Sequence, residues 1–225
     1  MKPALWYDAK LSLGWSALLP ALGLPIYAAL TRWLFLTAPS TASPEMLTQT
    51  FVILLPLVSA LSAAHLMTIE QEEGIAELRA SYPEHPARLP LVRGMLALGL
   101  LVSNALVGLL AFRLIWSPLD TAAILPALPP TLLLTGLSLL TGRLARSYWV
   151  AAGLALVYWF FELQTRGQIT QALFLFNPVW PKTGISPALN QTLVSGAGLI
   201  FFLLNVLAEE FRGEWRARRG TFGAG

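Results

Sequence analysis

Four glutamates, Glu70, Glu72, Glu73 and Glu77, fall within eight residues of a chain in which only 12% of residues are charged. Two histidines, His65 and His85, lie close by. Carboxylates and imidazoles at this density can exchange protons or hold a metal. Their spacing argues against both. No H-E-x-x-H run occurs, no histidine follows His85, and the chain has no cysteine, which also removes disulfides and thiolate nucleophiles. No G-x-x-x-x-G-K-[ST] is present either, so the chain lacks the loop that cradles ATP phosphates. No metal or cofactor of its own is expected, and the chain alone is not expected to be an enzyme.

The same carboxylates make better sense as a surface. On a helix from Glu70 to Tyr82, Glu70, Glu73 and Glu77 share one face, while Ile75, Leu78 and Tyr82 share another. Pro83 ends that helix and Pro86 keeps it from restarting. A solvated connector would use the acid but has no need of an apolar face. Acid is also unfavourable against anionic lipid. A short helix that docks into a groove on another protein uses both features.

The elements that present this segment are apolar. Of the 225 residues, 56% are hydrophobic, and a soluble domain carries about a quarter charged residues. Runs of roughly 18 or more apolar residues mark membrane-spanning helices. Six are predicted, over residues 11–36, 46–68, 89–116, 121–140, 148–163 and 189–207, with Pro20 and Pro25 kinking the first. That first run is too long for a signal peptide's apolar core of roughly 7–15 residues, so it is expected to be retained. The expected fold is therefore an all-α integral membrane protein, one transmembrane domain over residues 1–225.

Lys2, Lys10, Arg79, Arg88, Arg93, Arg143, Arg146, Arg212, Arg216, Arg218 and Arg219 fall on one side of these spans; Arg32, Arg113, Arg166 and Lys182 fall on the other. The richer side is cytoplasmic, which places both termini, the loop 69–88 and the tail 208–225 there. Basic residues between spans report topology, not a nucleic-acid patch. Trp33, Trp116 and Trp159 are expected at outer ends and Trp6 and Trp149 at inner ones, where amphipathic rings settle. Residues 1–10 suit a short interfacial helix. The external segment 164–188 contains the patch Leu173–Phe176, too short to span and too apolar for an ordinary loop, so an interfacial or re-entrant element is expected. Ionisable groups at membrane depth usually mark function, which singles out Arg113, Glu162 and Arg166 as pathway or outer-gate residues. Glu162 and Arg166, at i and i+4, can instead pair with each other. Asn104 and Asn205 are expected to hydrogen-bond between helices, and His65 to pack.

The run EQEEGIAELRASYP, Glu70 to Pro83, with Arg93 ten residues further on, resembles the segment after the second span of the type-2 ABC export permease family, the ABC-2-like permeases. Glu70, Glu72 or Glu73, Gly74, Glu77, Leu78, Ser81, Pro83 and Arg93 occupy the matching positions, and Ile75 replaces the family's usual Thr. Residues 1–10 are similar in type to the family's interfacial helix. Asn177–Pro178 resembles the N-P of its external element between the fifth and sixth spans, and these two residues join the gate candidates. The resemblance implies that residues 69–88 form a coupling helix seated in a separate P-loop ATPase subunit. It further implies two ATPase copies carrying ATP and Mg, a second permease subunit identical or homologous to this one, export as the direction, and a cell-membrane location, bacterial inner or plasma membrane.

Two other classes compete. The run Ala208–Trp215 resembles the paired glutamates of CAAX-type intramembrane proteases, but Glu214 stands where those carry arginine and the later histidines are missing. A non-transporting membrane anchor or assembly protein for a cytoplasmic partner would have much the same composition and is the alternative.

Overall fold

The computed structural model describes residues 19–37, 44–72, 88–116 and 121–222. Among these the chain is all-helical, with six α-helices and three short 3-10 helices. The α-helices are α1 (Gly23–Thr37), α2 (Pro44–Glu72), α3 (Arg88–Ile115), α4 (Leu128–Ala145), α5 (Tyr148–Thr165) and α6 (Pro187–Phe222). Four stretches are long and apolar enough to cross a membrane: Glu45–Leu66, Leu91–Ile115, Ile124–Ala145 and Pro187–Ala208. They coincide with the second, third, fourth and sixth sequence-predicted spans. α1 is only 15 residues long, and α5 has 18 with Glu162 and Gln164 in its last turn. The interfacial helix expected over residues 1–10 lies outside the described residues.

Proline sets several boundaries. Pro20 lies in the 3-10 turn Leu19–Leu22 and Pro25 in the first turn of α1, where a missing N–H costs nothing. The kink expected there takes the form of a change of helix type. The fourth span was expected to begin as α-helix at Thr121. Instead Thr121–Ala127 is 3-10, with Pro126 inside it, and Pro129 and Pro130 occupy the first turn of α4. α4 ends at Arg146 in the left-handed region (φ 54°), and α5 starts two residues later at Tyr148. α6 continues through Phe222, since the run from Ala208 to Arg219 is rich in Ala, Glu and Arg, all good helix formers.

Contacts fix the direction of each helix. Phe51 packs edge-on against Phe112 while Asn104 reaches Ser59 and Ser62, so α2 and α3 are antiparallel. Trp159 bonds Ile53 while His65 packs edge-on against Tyr148, so α2 and α5 are antiparallel too. Gly136 meets Gly198 and Arg143 meets Asn205, which makes α4 and α6 parallel. Leu24 faces Gly108 and Ala28 faces Trp116, so α1 runs with α3. Odd-numbered helices run one way and even-numbered helices the other. One end of the bundle carries Arg32, Arg113, Arg166 and Lys182; the opposite end carries Arg93, Arg143, Arg146 and the exit of α2 towards Glu72.

The core divides into separate clusters along the bundle. Leu24, Phe51, Leu55, Phe112, Leu134, Phe174 and Phe176 fill one end, and Ala63, Leu66, Ala97, Leu100 and Leu139 the other. The outside is equally apolar. Leu91, Met95, Leu98, Val102, Leu106, Leu110 and Leu114 form an exposed stripe along α3. Such a stripe would be costly in water and is suited to lipid.

The tryptophans divide. Trp33 and Trp149 are exposed, at 61% and 79%, as interfacial rings should be. Trp116 and Trp159 turn inward instead and donate to backbone carbonyls of Ala28 (3.1 Å) and Ile53 (2.7 Å). The second bond has a sequence cause. Pro56, inside α2, offers no N–H to the Val52 carbonyl and opens that turn, leaving the adjacent Ile53 carbonyl accessible to the indole. Trp159→Phe keeps the ring and removes the donor. It is expected to cost about 1 kcal/mol, read as a lower midpoint for unfolding in mixed micelles.

Candidate functional site

The first end of the bundle gathers a polar cluster around a buried carboxylate. α5 stops where Arg166 turns left-handed (φ 47°) and its N–H bonds the Glu162 carbonyl at 3.0 Å. Gly167 follows at φ 69°, pressed so closely on Phe174 that any side chain there would enter the ring; glycine meets both demands. The connector from Arg166 to Ser186 then folds back over the bundle as turns and the 3-10 helix Gln171–Leu173. Phe174, Leu175, Phe176, Asn177 and Val179 are buried.

Glu162 is 0% exposed. Its Oε2 accepts from Thr170 Oγ1 (3.1 Å) and from the Leu175 N–H (3.3 Å), while Oε1 receives no hydrogen bond from the described residues. The connector is held from the other side by Asn190, whose Nδ2 donates to the carbonyls of Ala172 (2.8 Å) and Phe174 (3.0 Å). Asn177 accepts the Lys182 N–H at 2.9 Å and closes the turn around half-buried Pro178. Phe176 stacks edge-on with Trp159, Phe174 and Trp180. Two cations rest on these rings: the Arg166 guanidinium 5.5 Å from the centroid of Trp180, and the Lys182 ammonium 6.0 Å from that of Phe174.

Four of the five gate candidates are thus assembled in one place: Glu162, Arg166, Asn177 and Pro178. Arg113, exposed in the last turn of α3, stands apart from them. The pair envisaged between Glu162 and Arg166 is replaced by other contacts, because the left-handed turn at Arg166 swings its side chain onto Trp180 while Thr170 and Leu175 take the carboxylate. Sequence reasoning missed Asn190, Thr170, Trp180 and Lys182. An asparagine within the first turn of an apolar helix was a visible signal for Asn190. Thr170 had none, since it reaches Glu162 only through the backbone turn.

Asn190→Leu leaves one buried and one partly buried carbonyl without their donor. It is expected to cost about 2 kcal/mol and to raise the rate of proteolytic cleavage within 166–186.

At the opposite end, Arg143 Nη1 donates to the Asn205 backbone carbonyl (2.9 Å) and lies 3.5 Å from its side-chain Oδ1, and Asn104 Nδ2 lies 3.4 Å from the hydroxyls of Ser59 and Ser62. Asn104 and Asn205 therefore both bond between helices, as expected. His65 is buried against Tyr148, ring centroids 6.2 Å apart, a packing role. Of the coupling candidates, Glu70 and Glu72 lie on the last turn of α2, and Arg93 is buried on α3. Glu73, Gly74, Glu77, Leu78, Ser81 and Pro83 lie outside the described residues. Among the described residues no cluster of three or more acidic, His or Cys side chains could hold a metal ion.

No family model, curated protein or solved structure matches this chain.

Proposed function

We propose that the chain is the permease subunit of an ATP-driven ABC exporter, paired with a second permease subunit and coupled to a separate ATPase that binds ATP and Mg. The observation that carries this is the way the acidic segment is mounted. α2 runs unbroken from its apolar span to Glu72, and α3 begins at Arg88. The acid between them is tethered to two helices long enough to cross a membrane. A partner that grips this segment can therefore displace the bundle itself, as coupling of two sites through one moving element requires.

Supporting features are consistent with six crossings. The helices alternate in direction, with α1 and α5 shorter than the rest. Arg93, Arg143 and Arg146 gather at the end where α2 delivers the acidic segment, the distribution expected of a cytoplasmic end. The span Pro187–Ala208 is only 17% buried, against 50% or 56% for the other three, leaving a flank that a second permease subunit can cover. The connector 166–186 would lie at the outer end as the gate.

The test is purification of the tagged chain from its native membrane in mild detergent, with mass spectrometry of partners and an assay of ATP turnover. A co-purifying P-loop ATPase is expected. A chain that purifies without one, and without ATP turnover, overturns the proposal in favour of the non-transporting anchor.

A further inference from the structure

Glu162 is the one fully buried carboxyl among the described residues, and transport as proposed above gives it no task. It lies outside the four membrane-length stretches, in the turn where α5 meets the connector. Its Oε2 accepts from the Thr170 hydroxyl and the Leu175 N–H, while Oε1 is buried and receives no donor from the described residues. An ionised carboxylate carries charge on both oxygens and accepts at each. Buried with one oxygen unsolvated, such a group takes up a proton instead. The cations nearby do not meet the need. The Lys182 ammonium bears on this carboxyl but rests on the Phe174 ring, and the Arg166 guanidinium lies over Trp180. Tyr158, one turn earlier on α5, is a further acid and offers no positive charge. α6 contributes the neutral Asn190, and Glu45, at the same end of α2, is exposed.

We propose that Glu162 is a proton-binding site that latches the connector: protonated, it seats the turn 170–175 against α5, and loss of the proton releases that turn. This depends neither on an ATPase nor on any cargo. The connector is held by two side chains of different kinds. Asn190 holds the carbonyls of Ala172 and Phe174 from α6 and does not titrate. Glu162 holds Thr170 and Leu175 from α5 and does. Phe174 and Phe176 are fully buried, so the seated form dominates and the proton sets the population of a minor, released form. Released into water, the carboxyl ionises at the ordinary value of about 4.3. Seated, it keeps its proton to a higher pH. The seated form therefore binds the proton more tightly, is most stable below the ordinary carboxylate range, and loses stability as pH rises towards neutrality and beyond.

The test uses the full chain in lipid nanodiscs. Hydrogen exchange of peptides within 168–176 is followed from about pH 5 to about pH 8, with the intrinsic pH dependence of exchange divided out. Protection is expected to fall by about tenfold per pH unit, the slope of one linked proton. Glu162→Gln is neutral at every pH and keeps an amide oxygen for Thr170 and Leu175, so its profile should be flat. Asn190→Leu should lower protection at every pH and keep the slope, which a merely structural hold by Glu162 would not predict. Infrared difference spectra should show a neutral carboxyl band at neutral pH that Glu162→Gln removes. A flat profile in the unaltered chain, the same slope in Glu162→Gln, or an ionised Glu162 at neutral pH overturns the proposal. Should Glu162→Gln not fold, the profiles of the unaltered chain and Asn190→Leu decide: parallel slopes uphold the latch and flat ones reject it.

Discussion

Gly198→Leu is expected to weaken the folded bundle severely. α4 and α6 cross with backbone against backbone: a Cβ on Gly198 would lie 2.8 Å from the Leu133 nitrogen and 2.9 Å from the Leu132 carbonyl carbon. From the other side, a Cβ on Gly136 would lie 2.7 Å from the Gly198 carbonyl oxygen. Neither obstacle is the flexible end of a side chain, so relief requires the helices to separate. Separation would pull apart the Arg143–Asn205 bond one end of the crossing depends on and uncover the carbonyls that Asn190 holds. Small residues that let helices approach closely are a main source of helix association in lipid, where no hydrophobic force acts between helices. The expected cost is about 3 kcal/mol, enough to remove much of a typical domain's stability. It would be read as loss of a monodisperse peak in detergent and a lower midpoint for unfolding in mixed micelles. Gly153→Ala and Gly196→Ala are the controls. Nothing lies within 4 Å of a Cβ at either position, so alanine should leave stability unchanged or raise it by up to about 1 kcal/mol. If Gly198→Leu behaves like these controls, the α4–α6 crossing is wrong.

These glycines also mark the limit of what the sequence discloses. Its 17 glycines are alike in type, and nothing in their neighbours separates Gly136 and Gly198 from Gly153 and Gly196. Only the pairing of α4 with α6 does. Class and layout were legible because they depend on local quantities. Apolar length located the membrane-length stretches at 46–68, 89–116 and 189–207 to within a few residues, and Pro20 and Pro25 marked a break in regular helix. The spacing of basic residues sorted Arg32, Arg113, Arg166 and Lys182 from Arg93, Arg143 and Arg146, and the same two groups stand at opposite ends of the bundle. What depends on contact was not legible. Trp116 and Trp159 were expected at a lipid interface by residue type, yet both bond inward, because a carbonyl opened near Pro56 and another at Ala28 lie in reach. Glu162 was visible as an ionisable group near a helix end. Its burial under Leu175 and Thr170 follows from the left-handed turn at Arg166 and Gly167, and arginine gives no forewarning of that conformation.

Under the exporter proposal, Glu73→Lys with Glu77→Lys is expected to detach the proposed ATPase while the chain still inserts. Glu73 and Glu77 are four residues apart in the acidic segment between α2 and α3. If that segment seats in a basic-lined cleft, reversing two charges replaces attraction with repulsion at close quarters. Like charges juxtaposed in an interface cost several kcal/mol; a loss of about 3 kcal/mol corresponds to more than a hundredfold in affinity. Ile75 and Leu78 are untouched in the double variant, so any apolar contact survives and the deficit reports charge. Membrane insertion should be normal, because both substitutions add basic residues to the side already rich in them. Glu45→Lys provides the control, since Glu45 is an exposed glutamate at the other end of α2 and therefore at the opposite end of the bundle. It should leave co-purification unchanged. The two variants together separate a specific grip on the acidic segment from a general sensitivity to acidic residues near membrane helices. Equal recovery of the ATPase with all three chains, unaltered, double variant and control, would sink the coupling role and leave the acid as a solvated connector.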